Sequence, residues 1–220
     1  MTPIDFWFDP ISPFACMAFE RLPEALKGCS YVVHYRPVLF AGLLSHWGQL
    51  GPAEIAPKRD WTYRHVSWLA HSQGSALRMP AQHPFNPLPL LRLLFACGEE
   101  GLLPNRYQCE RVLHHVWHGG AAVDDPERMA ALTASLAPRR EPQSEPVKQA
   151  LRASTDAAIA AGVFGVPTLG LPGRRAGDPS RLFWGADGVD MAAACLRGDA
   201  WFESGWDAAA AVPAAVQRKR

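Results

Sequence analysis

Alternating apolar and polar positions at the start of the chain predict a β-strand. Ile4, Phe6 and Phe8 would face one side of this strand and the residues between them the other side. A second apolar segment, residues 31–36, predicts another strand.

Helix signals separate the two strands. Ser12 is a candidate N-cap, and Pro13 suits the first helical position because the N–H that proline lacks would have no intrahelical partner there. We expect the helix to end near Lys27, before Gly28. Strand, helix and strand in close succession form a βαβ unit, whose two strands run parallel.

Apolar positions recur at helical spacing from residue 40 to residue 161, where strand signals are weak. Proline and glycine breakers separate the segments. Helices are expected over 61–69, 88–97, 107–117, 129–136 and 147–161. This pattern predicts an all-helical insertion large enough to have a small core of its own.

Strand signals return after the helical block. Residues 166–171 and 181–185 predict two strands joined by a Gly- and Pro-rich loop, and residues 187–196 predict a helix. The order β-α-β, helical insert, β-β-α indicates an α/β protein with a thioredoxin-like fold. The expected parts are a discontinuous thioredoxin-like domain (1–39 and 162–198), a helical insertion domain (40–161) and a C-terminal tail (199–220) with a poorly ordered end.

Composition narrows the class of partner. The chain has 220 residues, with 22 Lys and Arg against 21 Asp and Glu, so its formal net charge is +1. This balance argues against a surface built to bind nucleic acid or an anionic membrane. The 48 % apolar content is enough for a core, and no apolar run approaches the ~20 residues of a membrane helix. Five widely spaced cysteines without a C-x-x-C pair, and no visible export signal, favour a cytoplasmic location.

Five short segments along the chain carry a family resemblance. They read DFWFDPISPF at 5–14, HPFN at 83–86, VLHHVW at 112–117, FGVPT at 164–168 and FWGAD at 183–187. Together they resemble the 2-hydroxychromene-2-carboxylate isomerase family. The resemblance implies a DsbA-like thioredoxin fold with a large all-helical insertion, related to the kappa-class glutathione transferases.

The activity implied by this resemblance is a glutathione-dependent cis–trans isomerisation in the catabolism of aromatic compounds. The substrate would be an aromatic unsaturated keto or hydroxy acid, to which the glutathione thiolate adds reversibly. A thiol with a pKa near ~8.5 is mostly protonated at neutral pH. A site that uses the thiolate must therefore stabilise it.

Ser12 is the implied catalytic residue. It lies where the first strand is followed by the helix, so its hydroxyl and the helix N-terminus would both favour an anionic sulfur. DsbA-like oxidoreductases have the first cysteine of C-x-x-C at this position. Here residues 12–15 read SPFA, which disfavours disulfide chemistry. The alternative is that Ser12 is only a helix cap.

Two further segments are implied as glutathione contacts. Val166 precedes Pro167, which the resemblance implies to be cis, so that the Val166 backbone pairs with the cysteinyl part of glutathione. An ordinary trans turn is the alternative. The second segment consists of Trp184, Gly185, Ala186 and Asp187. Asp187 would meet the γ-glutamyl ammonium, unless the segment is only a turn and a helix cap.

The substrate-binding residues expected are Asn86, Phe14 and Lys58. Asn86 has an alternative of nearly equal weight, as the cap of the helix that begins near residue 88. The family's lysine after the second strand is not matched at 40–44, and its Asn-Arg pair reads Glu-Ile at 54–55. The true substrate therefore stays open. The nearby cations that could replace the missing ones are Arg36, Lys58, Arg59 and Arg64.

The sequence is also compatible with functions other than that of an isomerase. A kappa-class-like glutathione transferase that conjugates or reduces an apolar electrophile stays open, as does a non-catalytic thioredoxin-like binding protein. No metal is expected, because His114 and His118 at i,i+4 have no visible third ligand and suit a solvated helix end. Cys16 is expected to pack against the sheet. The expected partner is a small aromatic molecule, with a homodimer as an option and neither nucleic acid nor a membrane.

Overall fold

One mixed sheet organises the molecule. The computed structural model describes residues 1–98, 103–175, 177–213 and 215. The strands are β1 (Thr2–Phe8), β2 (Tyr31–Pro37), β3 (Thr168–Leu171) and β4 (Arg181–Trp184), in the order β2-β1-β3-β4. β1 pairs in parallel with β2 and antiparallel with β3, and β3 pairs antiparallel with β4. Residues 216–220, for which poor order is expected, lie outside the described residues.

Helices surround the sheet. They are α1 (Pro13–Ala25), α2 (Phe40–Trp47), α3 (Ala56–Gln73), α4 (Leu88–Cys97), α5 (Arg106–Trp117), α6 (Pro126–Leu136), α7 (Glu145–Ala160), α8 (Gly188–Leu196) and α9 (Trp201–Ala210). α2 to α7 lie between β2 and β3, which confirms the predicted thioredoxin-like order with a helical insertion. The sequence prediction omits α2 and α9. Across the described ranges, no helix is both long and apolar enough to cross a membrane.

At its C-terminal end β1 is buried on both faces, which the alternation in its sequence does not show. Ile4, Phe6 and Phe8 are fully buried in the main core, which also contains residues of α1 and α5. Trp7 points to the other face and is only 4 % exposed. There it packs with residues of α2 and α7, including Leu43 and Ala158. The sheet is therefore covered by helices on both sides.

The segment expected as a tail contains a helix that packs on the sheet. Phe202 and Trp206 of α9 place their rings 6.0 and 5.1 Å from the ring of Phe183 on β4. The Arg181 guanidinium lies 5.9 Å above each of the two α9 rings. Residues 201–210 therefore extend the packing of the thioredoxin-like unit.

Candidate active site

Ser12 lies at the N-terminus of α1, just after the chain leaves β1. Its Oγ accepts a hydrogen bond from the Ala15 backbone N–H at 3.3 Å, which is the expected cap geometry. The same hydroxyl donates to the carbonyl oxygen of Val166, also at 3.3 Å. Ser12 is only 8 % exposed. The residue is therefore a helix cap and, in addition, a hydrogen-bond donor directed at the loop before β3.

The loop before β3 meets Ser12 at a cis proline. The peptide bond between Val166 and Pro167 is cis, which confirms that expectation. The Pro167 carbonyl oxygen accepts a hydrogen bond from the Gly185 backbone N–H at 2.9 Å. Two bonds thus connect Ser12, the cis proline and the residues after β4. The residues predicted to contact glutathione are therefore neighbours in the structure.

The segment after β4 combines an exposed aromatic ring with an exposed carboxylate. Trp184 is exposed, and its ring lies 5.2 Å from the ring of Phe164. Gly185 has a φ of 92°, and a Cβ at this position would lie 2.4 Å from Asp187 Oδ1. Asp187 occupies the N-cap position of α8, but its side chain makes no cap hydrogen bond. The Asp187 carboxylate therefore does not cap α8, as it would if the segment were only a turn and a helix cap.

The expected substrate residues are placed on the helical insertion and on α1. Asn86 is exposed, and its Oδ1 accepts the N–H of Leu88, the first residue of α4, at 3.1 Å, although the N-cap position itself is occupied by Pro87. Phe14 is half-buried, with its ring 5.9 Å from the ring of His65 on α3. Lys58 is exposed in the first turn of α3. Within the described ranges, neither Asn86 nor Lys58 hydrogen-bonds to Ser12.

The four candidate replacement cations differ in their surroundings. Arg36 on β2 forms an ion pair with Asp5 on β1, with Nε 2.5 Å from Oδ1. Arg59 lies 3.8 Å from the carboxylate of Asp60. Arg36 and Arg59 therefore each lie beside a carboxylate, whereas Lys58 and Arg64 are exposed on α3.

Asp9 anchors the loop before Ser12, a role that its sequence context does not reveal. The side chain is fully buried. Its two oxygens accept hydrogen bonds from the backbone N–H of Ile11 at 3.0 Å and of Phe40 at 2.9 Å. Burial raises the pKa of this carboxyl to about 7, although the two N–H bonds oppose the shift. The one feature of the sequence that could have indicated this role is an acidic residue, Asp9, directly after the apolar strand β1.

Two residues of the helical insertion hold the same loop. The Nε2 of His83 lies 2.8 Å from the Ile11 carbonyl oxygen, and its Nδ1 lies 2.8 Å from the Tyr63 hydroxyl. Burial lowers the pKa of His83, so the neutral imidazole donates from Nε2 to Ile11, while the Tyr63 hydroxyl also lies 2.7 Å from the His83 carbonyl oxygen, to which it donates. Trp117 is fully buried, and its Nε1 donates to the Pro10 carbonyl oxygen at 2.9 Å. The insertion therefore fixes the backbone that carries Ser12.

The environment of His114 and His118 corrects one expectation. Both imidazoles contact Glu20 of α1, with Nε2 3.4 and 2.7 Å from Oε1. The pair is therefore not a solvated helix end. Cys16 packs in the main core, as expected, and its Sγ lies 3.8 Å from the same carboxylate oxygen.

Comparison with known proteins places the chain among DsbA-like folds. The DSBA-like thioredoxin domain family matches residues 3–197. A 2-hydroxychromene-2-carboxylate isomerase of Pseudomonas putida is 27 % identical over 195 residues, which is 86 % of this chain and 91 % of the relative. Glutathione S-transferase kappa 2 of Caenorhabditis elegans is 26 % identical over 180 residues, covering 74 % of this chain and 78 % of the relative.

Solved structures agree on the fold. A 2-hydroxychromene-2-carboxylate isomerase structure is similar with a TM-score of 0.74 at 23 % identity, covering 93 % of this chain and 98 % of that chain. The cytosolic disulfide reductase DsbM of Pseudomonas aeruginosa with GSH is similar with a TM-score of 0.53 at 14 % identity, covering 96 % and 100 %. At these identities, the likeness concerns the fold.

Proposed function

Since this chain belongs to the DSBA-like thioredoxin domain family, we propose that it is a glutathione-dependent cis–trans isomerase of the 2-hydroxychromene-2-carboxylate isomerase type. Its substrate would be an aromatic unsaturated keto or hydroxy acid. The observation that carries the proposal is the Ser12 hydroxyl at the N-terminus of α1, 3.3 Å from the carbonyl oxygen that precedes the cis proline. The names of its relatives support the same class of enzyme.

The Ser12 hydroxyl can exchange one acceptor for another. A hydroxyl can donate one hydrogen bond, and here the acceptor is the Val166 carbonyl oxygen. When a thiolate binds at the N-terminus of α1, the proton can turn to the sulfur, while the helix dipole also favours the anion. The Val166 carbonyl then becomes able to accept an N–H from a bound peptide. Ser12 and Val166 would thus serve the two parts of a cysteinyl residue.

The segment after β4 suits the γ-glutamyl end of glutathione. Gly185 already donates its N–H to Pro167, so backbone contacts to a ligand would come from the Gly185 carbonyl and the Ala186 N–H. The exposed carboxylate of Asp187 can pair with an ammonium group. Trp184 offers an exposed ring beside them.

The reactive sulfur would come from the ligand. Ala15 stands where a DsbA-like oxidoreductase has its second cysteine. Cys16 is fully buried, and burial together with the nearby Glu20 carboxylate raises its thiol pKa well above the ordinary value. Bound glutathione would supply a thiolate that adds reversibly to a conjugated double bond and so permits rotation about it. The contribution of the chain is to bind, orient and stabilise that anion.

A kappa-class-like transferase is the second candidate. The cations that this isomerase family uses for the acid substrate are missing from residues 40–44 and 54–55. The side chains next to Phe14 form an aromatic wall. His65 contacts the Phe14 ring and also stacks on Trp61, with ring centroids 5.9 Å apart. Such a wall suits an apolar electrophile as well as an aromatic acid.

A Ser12→Ala variant tests the proposal. With 2-hydroxychromene-2-carboxylate and glutathione, we expect the wild type to isomerise the substrate without net consumption of glutathione. Loss of one hydrogen-bond donor to the anion should lower kcat about 100-fold or more in the variant. Ser154→Ala is the matched control, because Ser154 also donates to a backbone carbonyl, that of Pro37 at 2.8 Å.

The possible outcomes separate the three functions. Accumulation of one glutathione conjugate per turnover would show that the protein is a transferase and not an isomerase. An inactive wild type whose glutathione affinity is the same in Ser12→Ala would favour the non-catalytic binding protein. Circular dichroism of both variants checks that they are folded.

A further inference from the structure

Side chains with metal-ligating atoms converge where α1 contacts α5, and the proposed glutathione chemistry uses none of them as a ligand. α1 contributes Cys16 and Glu20, and α5 with its C-cap contributes His114 and His118. A sulfur, a carboxylate oxygen and an imidazole nitrogen from Cys16, Glu20 and His118 all lie within 4.8 Å of one another. We call these three residues with His114 the α1–α5 cluster.

Three side chains of the α1–α5 cluster lie close to one carboxylate oxygen, Glu20 Oε1. Glu20 Oε1 lies 2.7 Å from His118 Nε2, 3.4 Å from His114 Nε2 and 3.8 Å from Cys16 Sγ. The two imidazole rings are stacked, with centroids 3.8 Å apart and an angle of 18° between their planes. Because the two rings are nearly parallel, only one imidazole can direct its nitrogen at an ion held by Cys16 and Glu20, and His118 is the one within 4.8 Å of both.

The spacing in each helix explains this convergence. Cys16 and Glu20 are four residues apart, as are His114 and His118, and residues at i and i+4 share one helix face. Packing α1 against α5 brings these two faces together. The second oxygen of Glu20 accepts a hydrogen bond from the Ser75 hydroxyl at 3.3 Å, which orients the carboxylate.

We propose that the α1–α5 cluster binds one divalent transition-metal ion of the zinc class. The ligands would be Cys16 Sγ, Glu20 Oε1 and His118 Nε2, and the fourth position would be open to solvent. In a tetrahedral zinc site, Zn–S is about 2.3 Å and Zn–N about 2.0 Å, so neighbouring ligand atoms are about 3.5 Å apart. The 3.8 Å between Glu20 Oε1 and Cys16 Sγ is close to this value, the 2.7 Å between Glu20 Oε1 and His118 Nε2 is shorter, and all three ligand atoms lie within 4.8 Å of one another.

The donor set and its exposure favour such an ion. Thiolate and imidazole ligands favour zinc, cobalt or copper over magnesium and calcium, which prefer oxygen. The side chains of Glu20, His118 and His114 are 27, 24 and 33 % exposed, so an ion can enter from solvent, with Cys16 at the buried base of the site. Binding converts the Cys16 thiol to a thiolate and releases its proton to the solvent.

A titration of the full-length, tag-free protein with Co²⁺ tests the proposal. We expect one Co²⁺ per chain, a thiolate-to-cobalt charge-transfer band in the near ultraviolet, and displacement of the cobalt by Zn²⁺. Because even indirect partners of metal ligands change affinity about 10- to 100-fold, His118→Gln and Glu20→Gln should each weaken binding more than tenfold. Cys16→Ala should remove the band.

Two controls separate the site from unspecific binding. His71→Gln changes an exposed imidazole in the last turn of α3, and Cys97→Ala removes another buried thiol, on α4. Both should leave the cobalt affinity and the band unchanged. Circular dichroism without metal checks the fold of every variant, and the band of the wild type reports thiolate ligation even if Cys16→Ala is unstable.

Three results would overturn the proposal. They are the absence of stoichiometric Co²⁺ binding by the wild type, bound cobalt without the charge-transfer band, and unchanged affinity in both His118→Gln and Glu20→Gln. In each case the cluster is only a set of hydrogen bonds that joins α1 to α5. None of these results bears on Ser12, so the proposed isomerase and the metal site fail independently.

Discussion

At the scale of single residues, Asp9 combines two structural demands that oppose each other. Its carboxylate accepts two backbone N–H groups that hold the loop before Ser12, and these bonds favour the charged form. Complete burial favours the neutral form and dominates, so that the pKa rises to about 7. The loop is therefore anchored by a group that changes its charge near neutral pH.

The raised pKa of Asp9 predicts a pH-dependent stability. Below pH 3.8 the carboxyl is protonated in both the folded and the unfolded chain. Between pH 3.8 and about 7 only the unfolded chain loses the proton, so the free energy of unfolding falls as the pH rises, and above about 7 it stays at the lower value.

An Asp9→Asn variant isolates this effect. The amide cannot accept both N–H groups, so the variant should be less stable than the wild type at pH 4. From pH 4 to 8, the difference should shift in favour of the variant by at most about 4 kcal/mol, the equivalent of a pKa raised from 3.8 to about 7. Urea unfolding across this range measures the shift, with the exposed Asp207→Asn as control. Parallel stability curves for wild type and Asp9→Asn would contradict the assignment.

At the scale of secondary-structure elements, β3 approaches β1 closely because Gly170 has no side chain. A Cβ at Gly170 would lie 2.5 and 2.8 Å from two ring atoms of Trp7, whose side chain is held between the sheet and the helices on its second face. We expect Gly170→Ala to lower the free energy of unfolding by about 1–3 kcal/mol, as overpacking does in other cores.

Gly205→Ala is the matched control for Gly170→Ala. A Cβ at Gly205 would lie equally close, 2.5 Å, to Trp201 Nε1, but Trp201 is 46 % exposed and can rotate away. Alanine is also preferred to glycine inside a helix by about 0.5–1 kcal/mol, so this variant should be neutral or more stable. Equal losses in both variants, measured by urea unfolding, would show that Trp7 does not cause the effect.

The strands and helices also show how far the local pattern of apolar and polar residues predicts the fold. The βαβ start, the helical block and the β-β-α end follow from periodicity and breakers, since helices and strands repeat their buried positions differently. The burial of Trp7 on the second face of β1 does not follow, because Trp7 is covered by α2 and α7, which are distant in sequence. α9 is hard to predict for a similar reason. Its contacts with Phe183 are tertiary.

At the scale of the whole molecule, the proposed site depends on contacts that span more than one hundred residues of sequence. Ser12 and Val166 could be singled out because they lie in motifs that carry the family resemblance. The hydrogen bond from Trp117 to Pro10 could not, because it exists only after α5 packs on the thioredoxin-like unit. The α1–α5 cluster is similar, since the i,i+4 histidine spacing is visible in the sequence while its partner Glu20 is not.

Trp117→Phe tests whether the helical insertion supports the proposed glutathione site. The substitution removes Nε1 and leaves the buried Pro10 carbonyl without its donor, which should cost about 1–3 kcal/mol of stability. Because Pro10 lies two residues before Ser12, we also expect weaker glutathione binding. At 100 times its Kd, glutathione should raise the free energy of unfolding of the wild type by about 2.7 kcal/mol. The gain in the variant at the same concentration should be smaller.

The design of this measurement separates coupling from simple loss of packing. Trp201→Phe removes an exposed indole far along the chain, on α9, and should keep the full gain from glutathione. If Trp117→Phe lost stability but kept the same gain, the bond to Pro10 would stabilise the fold without shaping the ligand site. A reduced gain only in Trp117→Phe would mean that the insertion contributes to binding by fixing the backbone in front of Ser12, since its indole is buried beneath that loop and is not exposed to a ligand.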